Sequence, residues 1–514
     1  MTSLDLQTGV LYQIYPQSFA DADGDGIGDL PGIVAALDHL AWLGVGAIWL
    51  SPCFASPFAD AGYDVADFTR IAPRYGTEED LRTLTREAGA RGIAVLLDLV
   101  AGHTSDTHPW FRDEPDRYIR SDVPADGFVP GPGGADWWYL PNFFACQPAL
   151  NYGYAREDPA EPWRQDVDAP GPRANRKALR DIMSFWFDRG VAGFRVDMAA
   201  SLVKDDPGHV ETRKLWTQLR DWIEATYPGR VLIAEWGDPA TSVPAGFHAD
   251  FLLQFGGEDD GLPWRSLWNN GVGTVHEHWN QKTCWADAAG RGTTRTFVTA
   301  WRRAAAAIAA GPRPGVVGLP TANHDVTRPV AGPRDADQAR IVTLLTLTWA
   351  ALPSLYYGEE IGMRYVEGVG PLEGSSLGPR YERAGSRTPM PWGGAETARE
   401  SRYLPQDPRP DRPTVADQRI DPSSLLAFTR AVIGLRSRDD RLRVDADLDV
   451  LHHDYPFVYV RGGSLVVALN PSGARTGSDL TGIGAARVVL ERGLHRGADR
   501  LDLDPFGYAV LDQG

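Results

Sequence analysis

Cysteine is scarce in this chain: three in 514 residues, at Cys53, Cys146 and Cys284. The number is odd, the spacings are long and no CxxC occurs. That excludes a disulfide framework and a cysteine-built zinc cluster, and it fits a reducing compartment. Long apolar runs are also missing. The longest, around residues 341–357, is interrupted by Thr and Pro, so no segment reads as a membrane span. The N-terminus, MTSLDLQTGV, has no basic region and no apolar core. No secretory signal is expected, and a cytoplasmic location is. Positive charge is in deficit: 51 Lys and Arg against 68 Asp and Glu leave a net −17. An acidic surface argues against nucleic acid or an anionic membrane as the main partner. Disorder is excluded by an apolar content of 43% with 23% charged residues, the composition of an ordinary globular protein. Aromatics, in contrast, are abundant, with 17 Trp, 17 Tyr and 18 Phe. They fill cores and also stack on sugar rings, and composition alone does not choose.

Short apolar runs rich in β-formers alternate with helical patterns. Residues 10–16 read as a strand and residues 33–43 as a helix, with Ile33, Leu37, Leu40 and Leu43 on one face. Residues 45–50 read as a strand, 80–90 as a charged amphipathic helix and 93–100 as a strand. This rhythm predicts parallel strands with crossover helices. Residues 101–172, dense in Asp, Pro, Gly, Trp and Phe, are too long for an ordinary loop and predict an inserted subdomain. A helix follows at about 176–189. Strand signals resume at 192–196, 231–235, 249–255, 316–323 and 353–357, which gives about eight βα units and a closed (β/α)8 TIM barrel. A second irregular stretch spans 362–417, and 423–438 reads as the last barrel helix. Beyond about 440, short alternating strands (457–461, 464–468, 486–490) predict an antiparallel β domain. The expected division is a barrel of residues 1–102 and 174–438, an inserted domain of 103–173 and a C-terminal β-sandwich of 439–514.

In such a barrel the chemistry sits at the C-terminal ends of the strands. Carboxylates and histidines recur there: Asp98 and His103 in DLVAGHTSD, Arg195 and Asp197 in GFRVDMAA, Glu235 in LIAEW, and His324 and Asp325 in TANHD. Tyr63 and Asp64 follow the second strand. Any one such Asp is ordinarily a helix cap or an ion-pair partner, but three carboxylates at three strand ends beside Arg and His are a different matter. Two or three carboxylates in one pocket suit glycosidic bond cleavage, where one stays protonated and another ionised. Arg195 and Asp197, two apart on a strand, share a face, so the guanidinium can keep Asp197 anionic.

In this order, these segments resemble the conserved regions of the α-amylase family over nearly the whole chain. QPALN at residues 147–151, GEEIGM at 358–363 and RTPMPW at 387–392 resemble the oligo-1,6-glucosidase and α-glucosidase branch. The resemblance implies a retaining exo-glucosidase acting on short α-glucosides from the non-reducing end, or a transglucosylase or isomerase of the same fold. Asp197 would be the nucleophile, Glu235 the general acid and then base, and Asp325 the group that stabilises the transition state. Arg195, His103 and His324 would line the subsite that binds the reacting sugar, with Tyr63 stacked on its ring. Asp64 and Arg387 would pair to close the pocket. Phe144 would be a sugar platform in the roofing domain. An Asp197–Glu235 carboxyl separation of about 5–5.5 Å is the retaining expectation. Three positions depart from the family pattern: Gly102 where Asn is usual, Ala149 where Asp is usual, and Met198 after the nucleophile. The last of these leaves linkage preference open.

The loop DADGDGIGD places Asp21, Asp23 and Asp25 at alternate positions, with the Ile27 carbonyl and Asp29 available beyond them. This is an EF-hand-like run of oxygen ligands without the closing Glu, whose place Gly32 takes. Similar loops in the resembled branch bind one structural calcium, so Ca2+, or Mg2+ in its place, is expected here. His276 and His278 in VHEHW have no evident third ligand and predict no metal. The partner is a small α-glucoside, and the chain is expected to be a monomer or homodimer.

Overall fold

The computed structural model describes residues 2–253, 263–268, 283–332, 334–374 and 382–514. His276, His278 and residues 375–381 of the second irregular stretch lie outside the described residues.

Eight parallel strands close a barrel: β1 Leu11–Ile14, β2 Ala47–Leu50, β3 Ala94–Val100, β4 Gly193–Asp197, β5 Val231–Ala234, β6 Ala249–Phe251, β7 Val316–Pro320 and β8 Leu352–Tyr356. Each lies next to its successor in sequence, and β8 closes on β1. Every strand residue among these is buried. Strands covered on both faces carry continuous apolar runs, which is why the sequence shows runs and little alternation here.

A helix follows each strand: α1 Leu30–Leu43, α2 Glu78–Ala90, α3 Pro170–Phe187, α4 Val210–Thr226, α5 Pro239–Ala245, α6 Arg295–Ala310, α7 Ala336–Thr348 and α8 Leu425–Arg438. Their ends are locally encoded. Thr77 and Asp80 form a reciprocal capping box at α2, satisfying backbone donors that the first turn leaves open. Asp29 caps α1 by accepting from Gly32 N–H at 2.6 Å, and Gly44 ends that helix at φ 94°, where a side chain would be strained. Helix α3 starts at Pro170, earlier than expected, because proline is tolerated in a first turn whose N–H groups have no helical partner.

That domain carries three two-residue strands and a small aromatic-lined core around Ile119, Ala149 and Tyr154. Ala149 is fully buried in it, which accounts for an apolar residue at that position. The C-terminal strands β9 Leu448–His452, β10 Phe457–Arg461, β11 Leu465–Leu469, β12 Thr476–Asp479, β13 Arg487–Arg496 and β14 Arg500–Asp512 form one antiparallel six-stranded sheet. The long β14 pairs with β11, β12 and β13 together, and its Leu501 and Leu503 share one buried cluster with Val458, Val460 and Val466. Among the described residues, no helix is long and apolar enough to cross a membrane.

Candidate active site

The site is built from the C-terminal rim of the barrel. Register sets its base: Asp98 on β3 is the backbone partner of Arg195 on β4, and Val100 that of Asp197. Alternation then points Asp98, Arg195 and Asp197 into the same interior. Glu235 is the first residue beyond β5, and His324 and Asp325 lie a few residues beyond β7. Below them, Trp49 and Phe251 stack at 5.7 Å inside the barrel, and the Arg195 guanidinium lies 5.0 Å over the Trp49 ring.

Arg195 joins three carboxylates. One terminal nitrogen lies 2.9 Å from Asp98 and 3.0 Å from Asp197, and the other lies 2.6 Å from Glu235. The arginine is 2% exposed, so these bonds lie largely out of solvent. Three carboxyls around one guanidinium leave an excess of negative charge in a dry place. Burial pushes the Glu235 carboxyl up to about 8, and the charge of Asp197 adds to the effect while Arg195 opposes it. Burial also raises Asp98 and Asp197, and Arg195 pulls both back. Glu235 additionally accepts the Met198 backbone N–H at 3.1 Å. Met198 adopts the left-handed region, φ 45° and ψ 41°, which costs a non-glycine residue about 1–2 kcal/mol. The chain turns sharply just after Asp197 to make that contact.

Asp325 lies in a different field. Arg383 reaches it at 2.8 Å and Arg387 at 3.0 Å. Burial opposes its ionisation, but His324 and these two guanidiniums hold the carboxyl well below the usual carboxylate range. The His324 imidazole is pushed down to about 3 by burial and is neutral. Gln13 lies 3.0 Å from its Nδ1, and Asp325 lies 3.3 Å from its Nε2. An amide N–H on Nδ1 and a proton on Nε2 satisfy both contacts.

The sequence expectations are met unevenly. Tyr63 is buried, stacks on His324 at 5.3 Å with rings 7° apart, and donates its hydroxyl to Asp98 at 3.1 Å. Its stacking partner in this structure is an imidazole. His103 is buried beside the same loop, its Nε2 3.1 Å from the Tyr63 carbonyl. Phe144 is half-buried and packs edge-on against Phe143, centroids 4.8 Å apart. The expected Asp64–Arg387 pair is not formed. Asp64 is fully buried and accepts from the Ala59 and Asp60 N–H groups and from the Ser56 hydroxyl. Its oxygens are engaged in closing their own turn. The acidic partner at that end is Asp60, 2.9 Å from Arg383 and 2.9 Å from the Gln147 amide. Arg383 thus bridges Asp60 to Asp325, while Arg387 holds Asp325 and the His324 carbonyl.

Sequence reading did not find Asp60, Arg383, Gln13 or Gln147 as site residues. Asp60 lies four residues before Asp64 and Arg383 four before Arg387, so a four-residue displacement would have found the pair. Gln13 in β1 carries no local signal, because a lone polar residue in an apolar strand does not tell which end of the barrel it faces.

In the loop at residues 21–29, oxygens of Asp21, Asp23 and Asp29 lie within 4.8 Å of one another. Asp25 lies outside that cluster and accepts the Ile27 N–H at 2.7 Å. The loop is tied down by Ser401 and Arg402, which bond the Gly26 and Gly24 carbonyls. The cysteines are uninvolved: burial raises Cys53 to about 12 and Cys146 and Cys284 to about 11, so none is a thiolate at neutral pH.

A profile of the alpha amylase catalytic domain matches residues 13–250 and 277–445. The glucan 1,6-alpha-glucosidase of Streptococcus pneumoniae is 31% identical over 543 aligned residues, spanning 94% of each chain. A trehalose synthase/amylase of Mycolicibacterium smegmatis is 32% identical, covering 85% of this chain and 76% of that protein. Among solved structures, isomaltulose synthase of Erwinia rhapontici superposes with a TM-score of 0.79 at 23% identity, covering 98% of both chains. At that identity the likeness is one of fold.

Proposed function

The chain belongs to the α-amylase family of glycoside hydrolases, in the branch of α-glucosidases and oligo-1,6-glucosidases, and from that premise we propose that it is a retaining, exo-acting α-glucosidase of short α-glucosides. One observation carries the proposal. A single buried guanidinium holds Asp197 and Glu235 side by side at the barrel rim, while a third carboxyl group, Asp325, is fixed by two further arginines.

The chemistry follows from those environments. Asp197, ionised beside Arg195, attacks the anomeric carbon of the sugar. Glu235, whose burial keeps its proton, donates it to the departing glycosidic oxygen as that bond breaks. The product is a sugar esterified to Asp197. Glu235, now a carboxylate, takes a proton from water, whose oxygen attacks the same carbon and releases Asp197. Two inversions retain the α configuration. Asp325, anionic throughout, accepts from sugar hydroxyls and stabilises the oxocarbenium-like charge. The neutral imidazoles of His103 and His324 line the same subsite. The chain of ion pairs from Asp60 through Arg383 to Asp325 supports an end-blocked pocket, hence release of one sugar at a time.

The relatives named trehalose synthase/amylase favour a second reading, in which a sugar hydroxyl takes the place of water on the same intermediate. Product chromatography separates the two. Isomaltose, maltose, nigerose, kojibiose, sucrose and trehalose are each incubated with the enzyme, with Asp197→Asn as control. Glucose from one linkage, absent in the control, is expected. New disaccharides at low substrate concentration would establish transfer, and turnover by the control would remove Asp197 from its role.

The same reading assigns a structural Ca2+, or Mg2+, to the loop at residues 21–29. Three convergent carboxylates suit a hard cation, and Asp29 also caps α1. Such an ion would brace the loop and the start of the first helix, away from the bond that is cleaved.

A further inference from the structure

Two of the positions that depart from the family pattern, Gly102 and Met198, meet at one side chain. Asn142, from the inserted domain, places its amide nitrogen 2.9 Å from His103 Nδ1 and 3.5 Å from the Met198 sulfur. Its amide oxygen is 3.4 Å from Lys204 Nζ, which also donates to the Ser201 carbonyl at 2.7 Å. A Cβ on Gly102 would lie 3.0 Å from that amide nitrogen, tighter than a relaxed carbon–nitrogen contact. The amide therefore occupies space that any residue other than glycine at 102 would contest.

These contacts fix the amide's orientation. An ammonium only donates, so the atom facing Lys204 is the oxygen, and the NH2 faces His103. His103 Nδ1 then accepts, and the ring proton sits on Nε2, where the Tyr63 carbonyl accepts it at 3.1 Å. In this arrangement each contact from Lys204 through Asn142 and His103 to the Tyr63 carbonyl pairs a donor with an acceptor, whereas the flipped amide would set its NH2 against the ammonium.

We propose that Asn142 is the positioning residue for His103: seated over Gly102 and oriented by Lys204, it fixes the Nε2–H tautomer and the ring plane that faces the sugar. The inference rests on the glucosidase reading only for what His103 then binds. The tautomer itself is a property of the free protein.

The decisive variant is Asn142→Asp. It keeps the size and the Lys204 partner but offers His103 Nδ1 an acceptor in place of a donor. Nitrogen-15 NMR of the free enzyme, with the His103 signals identified by their loss in His103→Gln, reads the tautomer directly. The wild type is expected to show a bare Nδ1 and a protonated Nε2, and N142D a protonated Nδ1. On whichever glucoside the wild type hydrolyses, N142D and Asn142→Ala are both expected to raise KM about five- to tenfold, with a smaller change in kcat, the loss of about one neutral hydrogen bond. Gly102→Ala, which leaves the amide in place and only presses on it, should show a milder rise and serves if the Asn142 variants do not fold. An unaltered tautomer with wild-type KM in N142D would overturn the proposal and leave Asn142 a packing residue. If the wild type turns over none of the glucosides, the glucosidase reading fails, and the NMR result still decides the tautomer.

Discussion

The Arg195 guanidinium lies 2.6 Å from Glu235 while its other terminal nitrogen lies 3.0 Å from Asp197. One planar cation sets the spacing of the two carboxyls that the proposed reaction needs in opposite protonation states. A lysine could not do this, since its ammonium is a single point on a flexible stem. Arg195→Lys is expected to lower kcat/KM by about a hundredfold or more while the protein still folds. Circular dichroism alongside kinetics checks this, and wild-type kinetics in the variant would refute it.

Glu235 makes the pH dependence specific. Its folded value of about 8 stands above the ordinary 4.5. Activity that needs its proton is expected to fall about tenfold per pH unit above 8. Stability moves the same way. Below about 4.5 both folded and unfolded states hold the proton, and the residue makes no difference. Between 4.5 and 8 the unfolded state has released it and the folded state has not, so stability declines as pH rises. Glu235→Gln removes that decline. The variant should be inactive, match the wild-type Tm near pH 4 and exceed it by a few degrees at pH 8. An equal Tm difference at both values would show that the carboxyl is not held protonated.

Asp60 and Asp64 are both buried acids of one short loop with different tasks. Asp60→Asn weakens the bridge through Arg383 to Asp325, so it should raise KM by about tenfold or more with little change in Tm. Asp64→Ala strands the Ala59 and Asp60 N–H groups, each at about 1–3 kcal/mol, so it should lower Tm by several degrees. Thermal melts and Michaelis kinetics on both variants test the assignment, and the reverse pattern would restore Asp64 to the pocket.

The loop at residues 21–29 predicts a metal effect confined to stability. Calcium at a hundred times its dissociation constant would stabilise the fold by about 2.7 kcal/mol. A chelator should therefore lower Tm, and Asp21→Asn should abolish the difference. A chelator-insensitive Tm in the wild type would remove calcium from the loop.

Most of the architecture is legible in the sequence. The apolar runs of the eight strands and the helical spacing between them are local, because burial on both faces writes itself into consecutive residues. The carboxylates at strand ends were legible for the same reason: position on a strand predicts its end, and the barrel collects those ends on one rim. Asp197 and Arg195 sharing a face needed only alternation. The loop of aspartates was legible from its spacing, although only Asp21, Asp23 and Asp29 converge.

The tertiary structure alone decided the pairings between distant segments. Asp60 and Arg383 are more than three hundred residues apart, and whether Asp60 or Asp64 takes the arginine depends on which one the backbone of its own turn consumes. Nothing in the residues around Asp64 or in RTPMPW states that. Asn142 is an unremarked residue in an irregular domain until the fold sets it over Gly102, beside Met198 and His103. The sheet at the C-terminus is continuous because one strand is long enough to pair three others, a matter of register. Sequence by itself determined which residues are buried and at which end of a strand they fall, since those follow from periodicity over a few residues. Which charged and polar groups satisfy one another was decided by packing, because a desolvated charge takes the nearest partner in space, whatever its distance along the chain.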